Sequence, residues 1–208
     1  MSGIWPVALH VPGAGASPEM ILRPLRRRDR AEWEALRETQ KDWLRPWEAG
    51  NPRPGKRASF RRLVRYYDAE GRAGRAQSFV VEVAGRIVGQ VQLSQMIWGS
   101  SRSAVVGYWV AQEWAGQGVA PAAVSAVVDR AFGSLCLHRL VAYVQVDNRP
   151  SARVMEKLGF VDEGIARGAL FVNGEWRDHR CFSLTREDVR GRSWVDRWND
   201  VSHGGRPT

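Results

Sequence analysis

Residues Ala104 to Phe132 carry the pattern that most narrows what this chain can become. An apolar run, Ala104 to Val110, has the length and residue types of a strand. Gly116 and Gly118 come next, two apart. Beyond them apolar residues recur at Val119, Ala123, Val124, Val127, Val128, Ala131 and Phe132, the three-and-four spacing of one face of an amphipathic helix. A strand, a glycine turn and a helix start together present backbone N–H groups to an anion. The first turn of a helix has donors without intrahelical acceptors, and the helix dipole adds roughly half a positive charge there. Glycine lets a phosphate approach without a Cβ in the way. The segment therefore suits a diphosphate, although two glycines at a helix entry also serve close packing. No P-loop string (Gly, four residues, Gly-Lys-Ser/Thr) occurs in the chain. The dinucleotide fingerprint fails as well, because Pro121 stands where its last Gly or Ala belongs.

The residues after this helix sharpen the reading. His138 to Val146 reads as a strand, and Asp147-Asn-Arg-Pro-Ser-Ala-Arg-Val-Met-Glu-Lys-Leu-Gly-Phe160 comes after it. Asn148 is placed to cap a helix over Arg149 to Leu158, with Pro150 in its first turn and Gly159 as its stop. Several strings keep order and spacing from about residue 20 to 188: Gly107-Tyr-Trp109, Gly116-Gln-Gly-Val-Ala120, Leu137-His-Arg139, Asn148-Arg-Pro-Ser151, Glu156-Lys-Leu-Gly-Phe160, Glu163-Gly164 and Asp178-His179. Each is weak alone, but as a set they resemble the GNAT acetyltransferase superfamily, and within it the RimJ/RimL-type ribosomal-protein N-terminal (alanine) acetyltransferases.

The resemblance implies an α+β, GNAT-like α/β fold: a central mixed, mostly antiparallel twisted sheet of about seven strands flanked by about four helices. It implies one acetyltransferase domain over 20–188, an N-terminal strand and loop extension over 1–19, and a C-terminal tail over 189–208. The implied activity is transfer of acetyl from acetyl-CoA, as co-substrate, to the N-terminal α-amine of a (ribosomal) protein by direct attack in a ternary complex. A small-amine (aminoglycoside or polyamine) acceptor and a non-catalytic acyl-CoA-binding module are the alternatives. The partners implied are a protein N-terminus or a small amine, with a link to the ribosome, for a monomer or a homodimer.

The resemblance also assigns residues. Ala115, Gly116, Gln117, Gly118, Val119 and Ala120 would hold the diphosphate. The superfamily loop begins with Gln or Arg where this chain has Ala115, so a side-chain contact is lost while the backbone cradle stays. The pantetheine arm would lie between the strands 104–110 and 139–146, against Trp109 and Val110, with Gly107 at a bulge. A main-chain N–H near Val110 would then meet the thioester oxygen. Asn148 corresponds to an asparagine that contacts the arm, and Ser151 to a serine near the sulfur. Ser151, Tyr108 and Tyr143 compete as the catalytic proton donor, and Ser151 can equally serve as a helix cap. RimL-type enzymes carry a glutamate about where Leu170 falls here, which leaves Glu175, Asp178 or a water chain as the base. The Asp178-His179 and His138-Arg139 pairs read as structural. The helices either side of Trp43-Leu-Arg-Pro-Trp47 are where the resemblance places acceptor recognition, unless both tryptophans close the core.

The remaining readings come from the residues themselves. At 208 residues the chain suits one domain with a real core. Its formal charge of +9 is dominated by arginine, especially at Arg23–Arg30 and Lys56–Arg65, and reads either as a composition that uses Arg where other chains use Lys or as a surface for anions or RNA-rich assemblies, with no RNA-module signature. No run approaches the length of a membrane span, and the N-terminus lacks a charged region followed by an apolar one, so a cytoplasmic protein is expected. Cys136 and Cys181 are the only cysteines and are expected to be buried, reduced thiols; no metal site is suggested. Strands are expected at Pro6–His10, Met20–Leu25, Ser78–Val83, Arg86–Met96, Ser103–Val110, Phe160–Ala166 and Glu175–Leu184. Helices are expected over Arg30–Lys41, capped by Asp29, over Ser59–Glu70 and over Gly118–Phe132. Asn173-Gly174 should turn the last hairpin. Trp194 and Trp198 stand at helical spacing ahead of a frayed Gly204–Thr208 end.

Overall fold

Alternating apolar residues in long strands need two covered faces, and the chain supplies a helical layer on each. A computed structural model describes residues 5–15, 17–53, 55, 58–188 and 193–202. Eight strands form one sheet: β1 (Leu9–Val11), β2 (Met20–Pro24), β3 (Gln77–Val83), β4 (Arg86–Ile97), β5 (Ser103–Val110), β6 (Arg139–Gln145), β7 (Val161–Val172) and β8 (Glu175–Thr185). Their order is β1-β2-β3-β4-β5-β6-β8-β7. Every neighbouring pair is antiparallel except β5 and β6. The helices are α1 (Arg30–Thr39), α2 (Lys41–Leu44), α3 (Phe60–Arg72), α4 (Val119–Phe132), α5 (Arg149–Lys157) and α6 (Trp194–Ser202). Among the described residues the sheet thus has eight strands where about seven were expected, and six α-helices accompany it where about four were. Leu9–Val11, displaced from the expected Pro6–His10, adds the edge strand by pairing with Met20–Leu22.

One face of the sheet carries the main core. Leu22, Phe79, Leu93, Leu140, Phe182 and Leu184 are fully buried there against α4, α5 and α6. Burying side chains of this kind contributes about 1.5–3 kcal/mol apiece. The other face carries a smaller cluster, in which Leu25, Val80 and Ile87 meet Trp33 of α1 and Phe60 of α3. Among the described residues, no helix is long and apolar enough to cross a membrane.

Four local expectations change. The helix at α4 is not amphipathic: both its sides are buried, and Ser125 turns its hydroxyl back onto the Pro121 carbonyl (2.9 Å). The reason is α6, which covers the outward side. Asp129 of α4 accepts hydrogen bonds from the N–H groups of Trp194 (2.7 Å) and Val195 (3.1 Å) and so caps α6. Asp29 does not cap α1. Its carboxylate accepts from the Arg26 N–H (2.7 Å) and is gripped by the buried Arg23 (2.7 and 3.2 Å), which also reaches Glu82. Gly107 is not a bulge: β4 and β5 pair in unbroken register from Gly89↔Val110 to Ser94↔Val105, and the irregularity falls between Ser94 and Ile97. The thiols are not both buried, since Cys136 is exposed in the turn after α4 and Cys181 is half-buried beside Glu163. Asn173 and Gly174 turn the β7–β8 hairpin with left-handed φ values of 48° and 90°, as a two-residue hairpin loop requires. Lys56 and the Gly204–Thr208 end lie outside the described residues.

The α6 anchor should be measurable. Trp194 is 5% exposed, and its indole donates to the Leu158 carbonyl (3.0 Å). Trp194→Ala is expected to lower unfolding stability by about 3–5 kcal/mol, read from denaturant midpoints.

Candidate active site

The site begins where two strands part. The parallel β5 and β6 pair only at Ser103↔Arg139, Ala104↔Leu140 and Val105↔Val141. Beyond that, β6 stays paired with β8 as far as Gln145, and β5 with β4 as far as Val110. A gap therefore opens inside the sheet. In an antiparallel ladder alternate residues bond to the neighbour and the others point away. The Ala111 N–H donates to Val88 (2.8 Å), in register with the β4–β5 pairs, so Gly107 and Trp109 bond toward β4. The main-chain N–H and C=O of Tyr108 and Val110 consequently face the gap. Adjacent parallel strands that separate toward their C-terminal ends form the crevice in which open sheets bind ligands.

Both helices that continue from those strand ends start at the gap's rim. After β5, Gly116 and Gly118 take φ values of 77° and 75°, and Gly118 is the N-cap of α4. A Cβ on Gly118 would overlap the Ser17 hydroxyl, whereas one on Gly116 would meet nothing within 4 Å. The first α4 bond closed back to the cap runs from the Ala122 N–H to the Gly118 carbonyl (3.1 Å). The N–H groups of Val119 and Ala120 thus have no intrahelical acceptor, and Pro121 brings none. Ala115 is exposed and adds no polar side chain. Gln117 turns its amide onto the Glu113 carbonyl (2.5 Å), away from an anion's needs. After β6, Asn148 caps α5 by accepting from the Ser151 N–H (3.1 Å).

Across this end of the gap, the Tyr108 and Ser151 hydroxyls hydrogen-bond at 2.8 Å. Burial pushes the Tyr108 hydroxyl up to about 12, and its bond to Ser151 pulls it the other way. Tyr108 therefore keeps its proton at neutral pH. Tyr143 does not join the pair. Ala142 and Val144 of β6 face the α4 side with Tyr108, so strand alternation sends Tyr143 to the opposite face, where it is 37% exposed. Trp109 does not line the gap either. Its backbone bonds β4, and its ring lies between Trp33 (5.6 Å) and the Arg37 guanidinium (5.2 Å), with its indole N–H on Gln90 (3.1 Å).

On the α1–α3 face, a cleft of about 270 Å³ reaches the same strands, lined by Arg37, Trp47, Glu48, Tyr67, Gln90 and Gly107 among others. Its outer wall is the segment 40–50, which crosses the gap. Trp43 donates from its indole to the Val110 carbonyl (3.1 Å), Gln145 of β6 donates to Pro46 (2.8 Å), and the Gly50 N–H donates to Phe171 of β7 (2.8 Å). Leu44 is the residue that enters the core here; Trp43 and Trp47 are 36% and 39% exposed and do not close it. The substitute bases named from sequence lie elsewhere. Glu175 sits at the hairpin end with Arg177 (3.1 Å), and Asp178 accepts from the Gly168 N–H (2.7 Å). Leu170 pairs with Arg177 across β7–β8. His179 is buried with Nδ1 on the Arg177 carbonyl (2.9 Å), His138 pairs with Glu187 (3.0 Å), and Arg139 pairs with Glu163. Glu48 is the site residue that sequence reasoning missed; its only signal was its position directly after the Trp43–Trp47 run.

This fold and this split sheet match a known class. Residues 19–161 match the acetyltransferase (GNAT) domain family, and the chain belongs to it. Among solved structures, Mycobacterium smegmatis RimJ in complex with CoA-disulfide aligns with a TM-score of 0.88 at 33% identity, over 98% of each chain. The probable N-acetyltransferase YjcK of Bacillus subtilis is 43% identical over 50% of this chain and 57% of its own length. The ribosomal protein uS5 alanine N-acetyltransferase of Escherichia coli is 32% identical over 49% of this chain and 53% of its own. The chain spans about half the length of these curated relatives. The likeness is of the RimJ/RimL type, as the sequence strings imply.

The loop geometry gives a direct test. Gly116→Ala should lose only the left-handed backbone preference, about 1–2 kcal/mol. Gly118→Ala adds the overlap with Ser17 and is expected to lose more, with both read from denaturant midpoints of the full chain.

Proposed function

We propose that the chain transfers the acetyl group of acetyl-CoA to the α-amine of a protein N-terminus, with residues 20–188 as the catalytic unit. The observation that carries this reading is the β5–β6 gap, which has unpaired backbone edges within it, an anion-ready helix start at its rim and an amine-sized cleft on the other face. The residues fit coenzyme A. The open space at Gly116 and the N–H groups of Val119 and Ala120 suit its diphosphate. The gap-facing N–H and C=O of Tyr108 suit the amides of its arm, with Asn148 at the start of α5. Bound there, the co-substrate supplies an activated acetyl thioester.

The chain's own groups do the rest. The acceptor nitrogen enters from the α1–α3 face and forms the new N–C bond as the C–S bond breaks, its electron pair leaving on sulfur. The Val110 N–H is placed to stabilise charge on the carbonyl oxygen. The acceptor ammonium sheds two protons in all: one returns to the sulfur through the Ser151–Tyr108 hydroxyl pair, and one leaves to solvent. The products are the acetylated amine and the free thiol.

Two observations favour an α-amine. An α-amino group, with a pKa near 7.7–8.0, is about a tenth to a sixth neutral at pH 7, whereas a lysine is neutral only about four parts in ten thousand. The cleft also holds a single carboxylate, Glu48, whose charge Arg37 offsets, so nothing lining it answers the several charges of a polyamine. The ribosome as the place of action is supported by the names of the relatives and by a second, basic cavity of about 530 Å³ bordered by Arg26, Arg27 and Arg65. The reading sets the enzyme in the cytoplasm.

Acetyl-CoA with an Ala- or Ser-starting peptide should release free thiol at the rate of peptide acetylation. Binding without turnover across a peptide panel would make the chain a non-catalytic module, and turnover on polyamines alone would move the acceptor. Ser151→Ala should lower kcat by about 100-fold with little change in acetyl-CoA affinity. Asn148→Ala should weaken that affinity and also lose about 1 kcal/mol of helix capping.

A further inference from the structure

The acceptor side holds one carboxylate, Glu48, on the segment that crosses the gap. Segment 40–50 is pinned to the sheet on both sides of the gap, by Trp43 on Val110 of β5 and by Pro46 and Gly50 on β6 and β7. Glu48 lies between those pins and lines the cleft that reaches Gly107 and Tyr108 at the split. Its side chain is 50% exposed, so the carboxylate meets both the cleft and water. Arg37 of α1 holds it, with one guanidinium nitrogen 2.5 and 2.6 Å from its two oxygens, and Arg37 is itself stacked over Trp109. A carboxylate has about four lone-pair sites, so this grip leaves room for a second cation.

We infer that Glu48 is the acceptor subsite: it receives the incoming α-ammonium through a charge-assisted hydrogen bond, takes the proton lost before attack and passes it to water, while Arg37 positions it. The inference rests on the acetyl-transfer reading and gives that reaction its missing proton path. The other polar and aromatic groups lining the cleft are Trp47, Tyr67 of α3, Gln90 and Gln92 of β4, and Tyr108 and Trp109 of β5. None of them is a carboxylate. Burial pushes the Tyr67 hydroxyl up, against a hydrogen bond with Gln90, so Tyr67 stays neutral near pH 7. Two other acids near the gap are engaged: Glu113 accepts from the Gln40 amide (3.1 Å), and Asp162 from Arg180 (2.7 Å).

The test uses the full chain, acetyl-CoA and an Ala-starting peptide. Glu48→Gln should lower kcat/KM for the peptide about 100-fold at pH 7, and the deficit should shrink toward threefold or less at about pH 9, where the α-amine is already mostly neutral. Acetyl-CoA affinity should not change. With CoA in place of acetyl-CoA, peptide binding at pH 7 measured by calorimetry should weaken at least about tenfold in the variant, since a charge-assisted bond is lost. Glu48→Asp should restore part of both. A wild-type rate in Glu48→Gln, or a deficit equal at pH 7 and pH 9, would overturn the assignment while leaving the acetyl-transfer reading intact. Failure of the unmodified chain to acetylate any α-amine would overturn both.

Discussion

A sheet that refuses to close on itself is the constraint behind this molecule. Unpaired backbone groups inside a folded chain are expensive unless something meets them. Here β5 and β6 share three residue pairs and then separate, although each remains fully paired on its outer side. The exposed edges cannot be removed by slipping register. A one-residue shift of β5 would turn Ala104 and Val106 out of the core and Trp109 into it. The core on the α4 face and the smaller cluster around Trp33 together fix the register, and the register fixes which N–H and C=O groups face the gap.

The elements around the gap divide its labour by face. On the α4–α5 side stand two helix starts and a pair of neutral hydroxyls, suited to a large anion and a sulfur leaving group. On the α1–α3 side stand a crossing segment, two half-exposed tryptophans and one salt-bridged carboxylate, suited to a small cation. On the proposed reading, the sheet would keep nucleophile and leaving group on opposite sides of the reacting carbonyl without any covalent relay through the protein. Trp43 has an unusual place in this division, because its indole occupies the Val110 carbonyl, one of the edge groups facing the gap.

Much of this was legible in the sequence, and for local reasons. Strand, Gly116-x-Gly118 and helix are encoded within thirty or so residues, Asn148 and Gly159 bracket α5, and Asn173-Gly174 turns a hairpin. The illegible parts depended on contacts distant in the chain. α4 reads as amphipathic because the helix that covers its other side begins at Trp194. Asp29 reads as a helix cap because Arg23 cannot be seen turning inward to claim it. Tyr108, Tyr143 and Ser151 are equivalent donors until strand parity sends the tyrosines to opposite faces. Glu48 lies in a stretch with neither strand nor helix periodicity, and only the pins on three different strands bring it to the cleft.

The central claim is that the gap, with the helix start at its rim, is the coenzyme site. The most direct measurement is a crystal structure of the chain soaked with coenzyme A. The account expects the diphosphate within hydrogen-bond distance of the Val119 and Ala120 N–H groups, with the arm between β5 and β6. A diphosphate held instead by Arg26, Arg27 and Arg65, or strands β5 and β6 found paired out to Val110 with nothing between them, would contradict it.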